Sequence, residues 1–334
     1  MEYLGSRARE ALSFFATRRD AERSPGVKAH LRSRYVVAGL LALSMVGVYF
    51  LGRLHAPVAP STAAPKVPIT FSSFYLDVGA SSSLGFQPTG IKGHNGRSTT
   101  VGYADDLALM ERYVGTSLSI YKTGCPGETL HSFLTTKPKN HCNGQPTTQV
   151  SKDVAYLQAH LGEPGLITID MGFNDIRVCL SSEVVDEACV DRVVAAVHLD
   201  IPKIVKVLRD ASGSNVQIVG LEYNDPFLAH YLNGPTGPYD ASETLVAMNR
   251  MDSALKTAYE SAGASVADVP AFFKMNDTSL VTLTNVGSWP ENVKETCALT
   301  WLCYSAPFGP DDHPNDAGYS LIAKAILAAL PKTW

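Results

Sequence analysis

The sequence predicts a doubly wound α/β domain, and three observations predict it. Five short apolar runs recur between residues 73 and 269, intervening segments carry apolar residues at three- and four-residue steps, and loops rich in Gly, Ser, Asn and Asp follow the runs. Strands alternating with amphipathic helices imply a parallel sheet covered on both faces through right-handed crossovers. Ligands of such sheets sit beyond the carboxyl ends of the strands. Functional residues are therefore expected in the loops that leave the strands.

The strand candidates are "SFYLDV" (73–78), "LSIYKT" (118–123), "LITIDM" (166–171), "VQIVGL" (216–221) and "SVADV" (265–269). Runs this apolar suit a sheet buried on both sides. Among the helical segments, "ADDLALMERYV" sets Leu107, Met110 and Val114 on one side. The long segment "CVDRVVAAVHLDIPKIVKVL" carries a stripe of Val190, Val193, Val197, Ile201, Ile204 and Leu208, with a kink expected at Pro202. The expected architecture is a flavodoxin-like, five-stranded parallel sheet with helices on both faces, preceded by an N-terminal transmembrane helix.

That helix is placed at residues 35–52, where the 17 residues from Tyr35 to Leu51 carry no charge. At about 1.5 Å per residue the stretch just spans a bilayer core. A cleaved signal peptide is the alternative, but such peptides have short basic leaders, and here 34 residues come first. Those residues, 1–34, form a basic tail, which the positive-inside bias keeps cytoplasmic. Residues 53–68 read as a Pro/Ala-rich linker, and residues 69–334 as the exported domain.

Residues 1–54 hold 9 Lys and Arg against 4 Asp and Glu, which leaves 19 basic and 28 acidic residues for the remainder. An acidic domain argues against a nucleic-acid partner. All six cysteines, Cys125, Cys142, Cys179, Cys189, Cys297 and Cys303, follow the linker, as disulfides in an exported domain would. None has the close spacing of a zinc site. Sequential pairing, Cys125–Cys142, Cys179–Cys189 and Cys297–Cys303, is the simplest of the possible arrangements.

Four loops carry the candidate chemistry: "GASSSLG" (79–85), "GCPGET" (124–129), "MGFND" (171–175) and "GPDDHPNDAGY" (309–319). In order and position this set resembles the SGNH (GDSL-type) hydrolase family, in particular its secreted actinobacterial esterases and lipases. The resemblance spans nearly all of residues 70–330. It implies that Ser81 is the nucleophile, that Gly127, Asn174 and the Ser81 amide form the oxyanion hole, and that His313 is the general base. Two positions depart from the family pattern. Ala80 stands where the family usually has Asp, and Pro310 stands where the Asp three residues before the His is expected. The group orienting His313 is then Asp311, the Pro310 carbonyl or Asp312. Asp311 is favoured because a carboxylate stabilises an imidazolium better than a neutral carbonyl does.

The resemblance implies a serine ester hydrolase working through an acyl-enzyme, with neither metal nor organic cofactor, and tethering outside a membrane favours a lipid or acylated-glycan ester of the envelope or extracellular space as its substrate. The expected protein is a monomer. It is held in the cell membrane by one span with its catalytic domain outside, or is secreted if the span is cleaved. Phe227, Leu228, Tyr231 and Leu232 are expected to line an acyl groove, with residues 223–240 and 272–305 forming its rim. An envelope acyltransferase using the same residues and an inactive envelope-binding module are the alternatives.

Overall fold

The computed structural model describes residues 74–88, 100–113, 118–135, 147–180, 184–284 and 287–330, all within the unit Pro68–Trp334. The expected tail, anchor and linker lie outside the described residues, and so does Cys142. Among the described residues no helix is long and apolar enough to cross a membrane.

The elements are β1 (Phe74–Gly79), α1 (Tyr103–Tyr113), β2 (Ser119–Lys122), α2 (Leu130–Leu134), α3 (Gln149–Ala159), β3 (Gly165–Asp170), α4 (Phe173–Leu180), α5 (Glu187–Ser212), β4 (Val216–Leu221), α6 (Gly237–Ser261), β5 (Ser265–Ala267), α7 (Val269–Phe272), β6 (Leu280–Leu283), β7 (Gly287–Pro290), α8 (Glu291–Leu299) and α9 (Asp316–Ala329). The first five strands form one parallel sheet in the order β2-β1-β3-β4-β5. This is the flavodoxin-like order, and the reversal at β1 and β3 opens a crevice at their carboxyl ends.

β1, β3 and β4 are buried along their whole length, and the two-residue period of a strand divides their side chains between two cores. Phe74, Leu76, Val78, Ile167, Ile169 and Ile218 pack under α2 to α6. Tyr75, Leu166, Val219 and Leu221 face the opposite way, against α1, α7 and α9. A polar knot lies on this second face. The Asp77 carboxylate accepts from the Tyr103 hydroxyl and the Thr168 hydroxyl, each at 2.8 Å. It fixes α1 across β1 and β3.

Helix starts follow their capping residues. Thr148 caps α3, Asp186 caps α5 and Asn315 caps α9, each by a side-chain oxygen that accepts an amide of the first turn. α5 runs as one helix through Pro202.

The expected acyl groove is not formed as described. Phe227 and Leu228, within the 3-10 turn Pro226–Leu232, are buried in the core, while Tyr231 and Leu232 are half-buried. Aromatic and aliphatic residues so spaced suit a core as well as a groove, and here the core takes them. The segment 272–305 holds the antiparallel pair β6–β7 and the helix α8.

Candidate active site

β1 ends at Gly79, and the chain turns at once into a 3-10 turn, Ser82–Leu84, with Ser81 at its head. Gly79 is paired with Asp170 across β1 and β3. A Cβ at Gly79 would lie 2.6 Å from the Asp170 carbonyl oxygen, so only glycine lets the strands approach so closely. The three hydroxyls of the turn have separate settings. Ser83 is buried and donates to the Ala80 carbonyl at 2.8 Å, Ser82 lines a cleft, and Ser81 points to His313.

Ser81 Oγ lies 2.7 Å from His313 Nε2. On the far side of the ring, Nδ1 lies 2.7 Å from Asp311 Oδ1. Burial pushes the Asp311 carboxyl up, but hydrogen bonds from the His313 side chain and amide, with the charges of His313 and Arg177, outweigh it and hold the group below its ordinary value. An ionised Asp311 fixes the proton of neutral His313 on Nδ1. The Nε2 lone pair is then aimed at the Ser81 hydroxyl. No hydrogen bond joins Nδ1 to the Pro310 carbonyl among the described residues, whereas Asp312 Oδ1 stands 3.5 Å from Nδ1.

The loop carrying His313 is gripped from several sides. The Trp301 amide donates to the His313 carbonyl at 3.1 Å, and the Asp311 amide donates to the Trp301 carbonyl at 3.3 Å. The Trp301 indole donates to Gln87 at 2.6 Å, and Gln87 donates to Asp316 at 3.0 Å. The disulfide Cys297–Cys303, with an S–S distance of 1.93 Å, ties the end of α8 to the segment holding Trp301. The Phe86 ring rests against the His313 ring, their centroids 4.6 Å apart.

Gly127 occupies a turn with φ of 79°, a left-handed conformation suited to glycine. Two hydrogen bonds bring this turn and Asn174 to the end of β1. The Cys125 amide donates to the Gly79 carbonyl at 3.0 Å, and Asn174 Nδ2 donates to the Glu128 carbonyl at 3.0 Å. Asp175 Oδ2 accepts the Leu130 amide at 3.1 Å and ties α4 to the start of α2. A second disulfide, Cys179–Cys189, with S–S of 1.94 Å, anchors α4 to α5. Cys125 is also disulfide-bonded; its expected partner, Cys142, lies outside the described residues.

The expected residues Ser81, His313 and Asp311 are thus brought into one hydrogen-bonded line, with Gly127 and Asn174 held together beside β1. Asp311, Asp312 and His313 also place oxygen and nitrogen atoms within 4.8 Å of one another. Each residue already has a protein partner: Ser81 and Asp311 on the imidazole, Arg177 on Asp312 at 2.9 Å. The constellation fits a proton relay better than an ion cage.

Sequence reasoning missed Asp170 and Arg177. Asp170 is buried at the end of β3 and lines a cleft with Ser82, Tyr223, Asn224 and Asp312. Burial pushes its carboxyl up to about 6, against the lowering effect of Tyr223, His313 and the Ser83 amide. A charged residue ending an otherwise apolar strand was the available signal. Nothing in the sequence signalled Arg177.

No family model matches the sequence, and no curated protein matches it. Solved structures do match its fold. An extracellular lipase from Streptomyces rimosus superposes with a TM-score of 0.50 at 16% identity, over 78% of this chain and 100% of that one. A phospholipase A1 from Streptomyces albidoflavus NA297 superposes with a TM-score of 0.51 at 17% identity, over 78% of this chain and 100% of that one. The chain has the α/β fold of these two proteins.

Proposed function

We propose that the protein is a serine ester hydrolase of the SGNH (GDSL-type) family that acts through an acyl-enzyme on Ser81. The observation that carries this reading is the unbroken line from Ser81 through His313 to Asp311, with 2.7 Å at both links. Nucleophile, base and orienting acid stand in hydrogen-bond order, as acyl transfer requires. The four-loop resemblance and the fold shared with a lipase and a phospholipase A1 support the same reaction class.

In the proposed mechanism Ser81 Oγ attacks the ester carbonyl carbon as its proton passes to His313 Nε2. Asp311 stabilises the imidazolium that results. The oxyanion forms against the Ser81 and Gly127 amides and the Asn174 side-chain amide, whose second N–H is left over from the bond to Glu128. The intermediate collapses, the alcohol leaves with the proton from Nε2, and the acyl group remains on Ser81. Water, deprotonated by His313, then releases the acid and restores the serine.

The uncharged stretch 35–52 and its basic flank support a cell-surface placement, and with it a lipid or acylated-glycan ester of the envelope or its surroundings as substrate. The test is labelling of the purified protein by a serine-directed fluorophosphonate, together with hydrolysis of short-chain p-nitrophenyl esters. Both should occur, and Ser81→Ala should abolish labelling and reduce kcat on the order of 10⁶-fold, as loss of a serine nucleophile does elsewhere. Turnover above a tenth of wild type in that variant would remove Ser81 from the role.

A further inference from the structure

Two carboxylates compete for one imidazole nitrogen. Asp311 Oδ1 lies 2.7 Å and Asp312 Oδ1 3.5 Å from His313 Nδ1. Asp312 is drawn off by Arg177, whose guanidinium meets Asp312 Oδ2 at 2.9 Å. Arg177 sits on α4 three residues after Asn174, a spacing that puts both on one side of the helix. The ion pair therefore bridges the helix that carries the oxyanion donor and the loop that carries the base.

We propose that Arg177 is a positioning residue, which holds Asp312 away from His313 and fastens the His313 loop to the Asn174 helix. The proposal rests on the Ser81–His313 reading above. Its electrostatic content is specific. The Asp312 side chain is only 11% exposed, so without Arg177 a second carboxylate would face the imidazole with little water to screen it. Two anions would over-stabilise the imidazolium, and less neutral base would be present at neutral pH. The pair itself is half open, since the Arg177 side chain is 44% exposed, so its contribution to overall stability is small.

The groups facing His313 are few. The nucleophile turn presents Ser81 and the uncharged Phe86 ring. The end of β3 presents Asp170, α4 presents Arg177, and the loop itself presents Asp311 and Asp312. From α9, Tyr319 faces the two aspartates. Replacing Arg177 removes its charge from Asp312 and, more weakly, from Asp311, and changes no other side chain of this set.

The experiment is the pH dependence of fluorophosphonate labelling of Ser81 and of ester kcat/KM, from pH 5 to 9, with the full-length protein. Arg177→Gln should move the acid limb up by about 0.5–1 pH unit. Its rate at pH 5, well below the limb, should fall about three- to tenfold, and recover toward pH 9. Adding Asp312→Asn to Arg177→Gln should bring the limb back down, because the unpaired anion is gone, and Arg177→Lys should keep it near the wild-type position. A merely structural role would lower rates at every pH and would not be reversed by Asp312→Asn. Labelling with an unmoved limb in Arg177→Gln, or no return in the double variant, overturns this proposal alone. A wild-type protein that is never labelled overturns the Ser81–His313 reading and this proposal with it.

Discussion

Asp311 holds His313 by two hydrogen bonds from one oxygen: Oδ1 accepts both the His313 amide, at 2.9 Å, and Nδ1, at 2.7 Å. Because the two residues are separated by a single position, the carboxylate fixes the main chain and the ring together. It sets both where the imidazole sits and which way it faces.

Asp311→Asn should therefore lower kcat by about 10²-fold or more, since a neutral amide supports the wrong tautomer and gives no charge to the imidazolium; replacements of this kind reach about 10⁴ in other triads. Asp312→Asn should cost much less. Steady-state kinetics on both variants, with circular dichroism to verify folding, compares them. Near-wild-type rates in Asp311→Asn would pass its role to another acceptor.

Gly79→Ala should destabilise the domain and slow it as well. The added methyl would meet the Asp170 carbonyl oxygen at 2.6 Å and its Cβ at 2.8 Å, and strand backbone cannot yield as a flexible side chain could. Overpacking of this kind costs about 1–3 kcal/mol. Because Ser81 lies two residues on, the displacement should reach the nucleophile. Urea unfolding and kcat on the same preparation test both effects, and an unchanged midpoint with unchanged kcat would contradict the close approach of β1 and β3.

Stability should fall as pH rises from about 4 to 8. Burial pushes the Asp225 carboxyl up to about 7 against hydrogen bonds from Thr244 and the Phe227 and Leu228 amides. Burial likewise raises Asp170 to about 6 and Asp153 to about 8. In the unfolded chain each would ionise near 4. Within the window the folded state keeps protons that the unfolded state has released, so raising pH favours unfolding. Below pH 4 both states are protonated and the penalty is absent. Glu291, held down to about 2 by Lys274 and Lys294, acts in the opposite sense, but loses its contribution below this window. The urea midpoint should drop between pH 5 and pH 8, and Asp225→Asn should flatten the slope; a midpoint rising across that range would refute the assignment.

Much of the sheet was legible because parallel strands buried on both faces are mostly apolar along their length. Thus "VQIVGL" coincides with β4, and β1 differs from its expected span by one residue at each end. β6 and β7 escaped notice because four-residue strands with exposed positions leave no such run. Ser81, Gly127 and Asn174 stood out because they lie in segments that follow strands, and His313, in the loop before α9, because the four loops in this order resemble a known family. The Arg177–Asp312 pair did not, since it joins positions far apart in the chain, and neither residue type is unusual on a surface. Phe227 and Leu228 were misjudged because local sequence does not distinguish a side chain turned into the core from one turned toward a ligand.

Ser81 and His313 are separated by 232 positions, and the latter stands just before α9, which packs into the core with α1 and β5. The serine and the imidazole can meet only once the segment before α9 has been brought across the sheet to the end of β1. Contacts of such long range close slowly. The Ser81–His313 contact thus depends on the tertiary fold that joins the end of β1 to the start of α9, and no local stretch of the chain can make it.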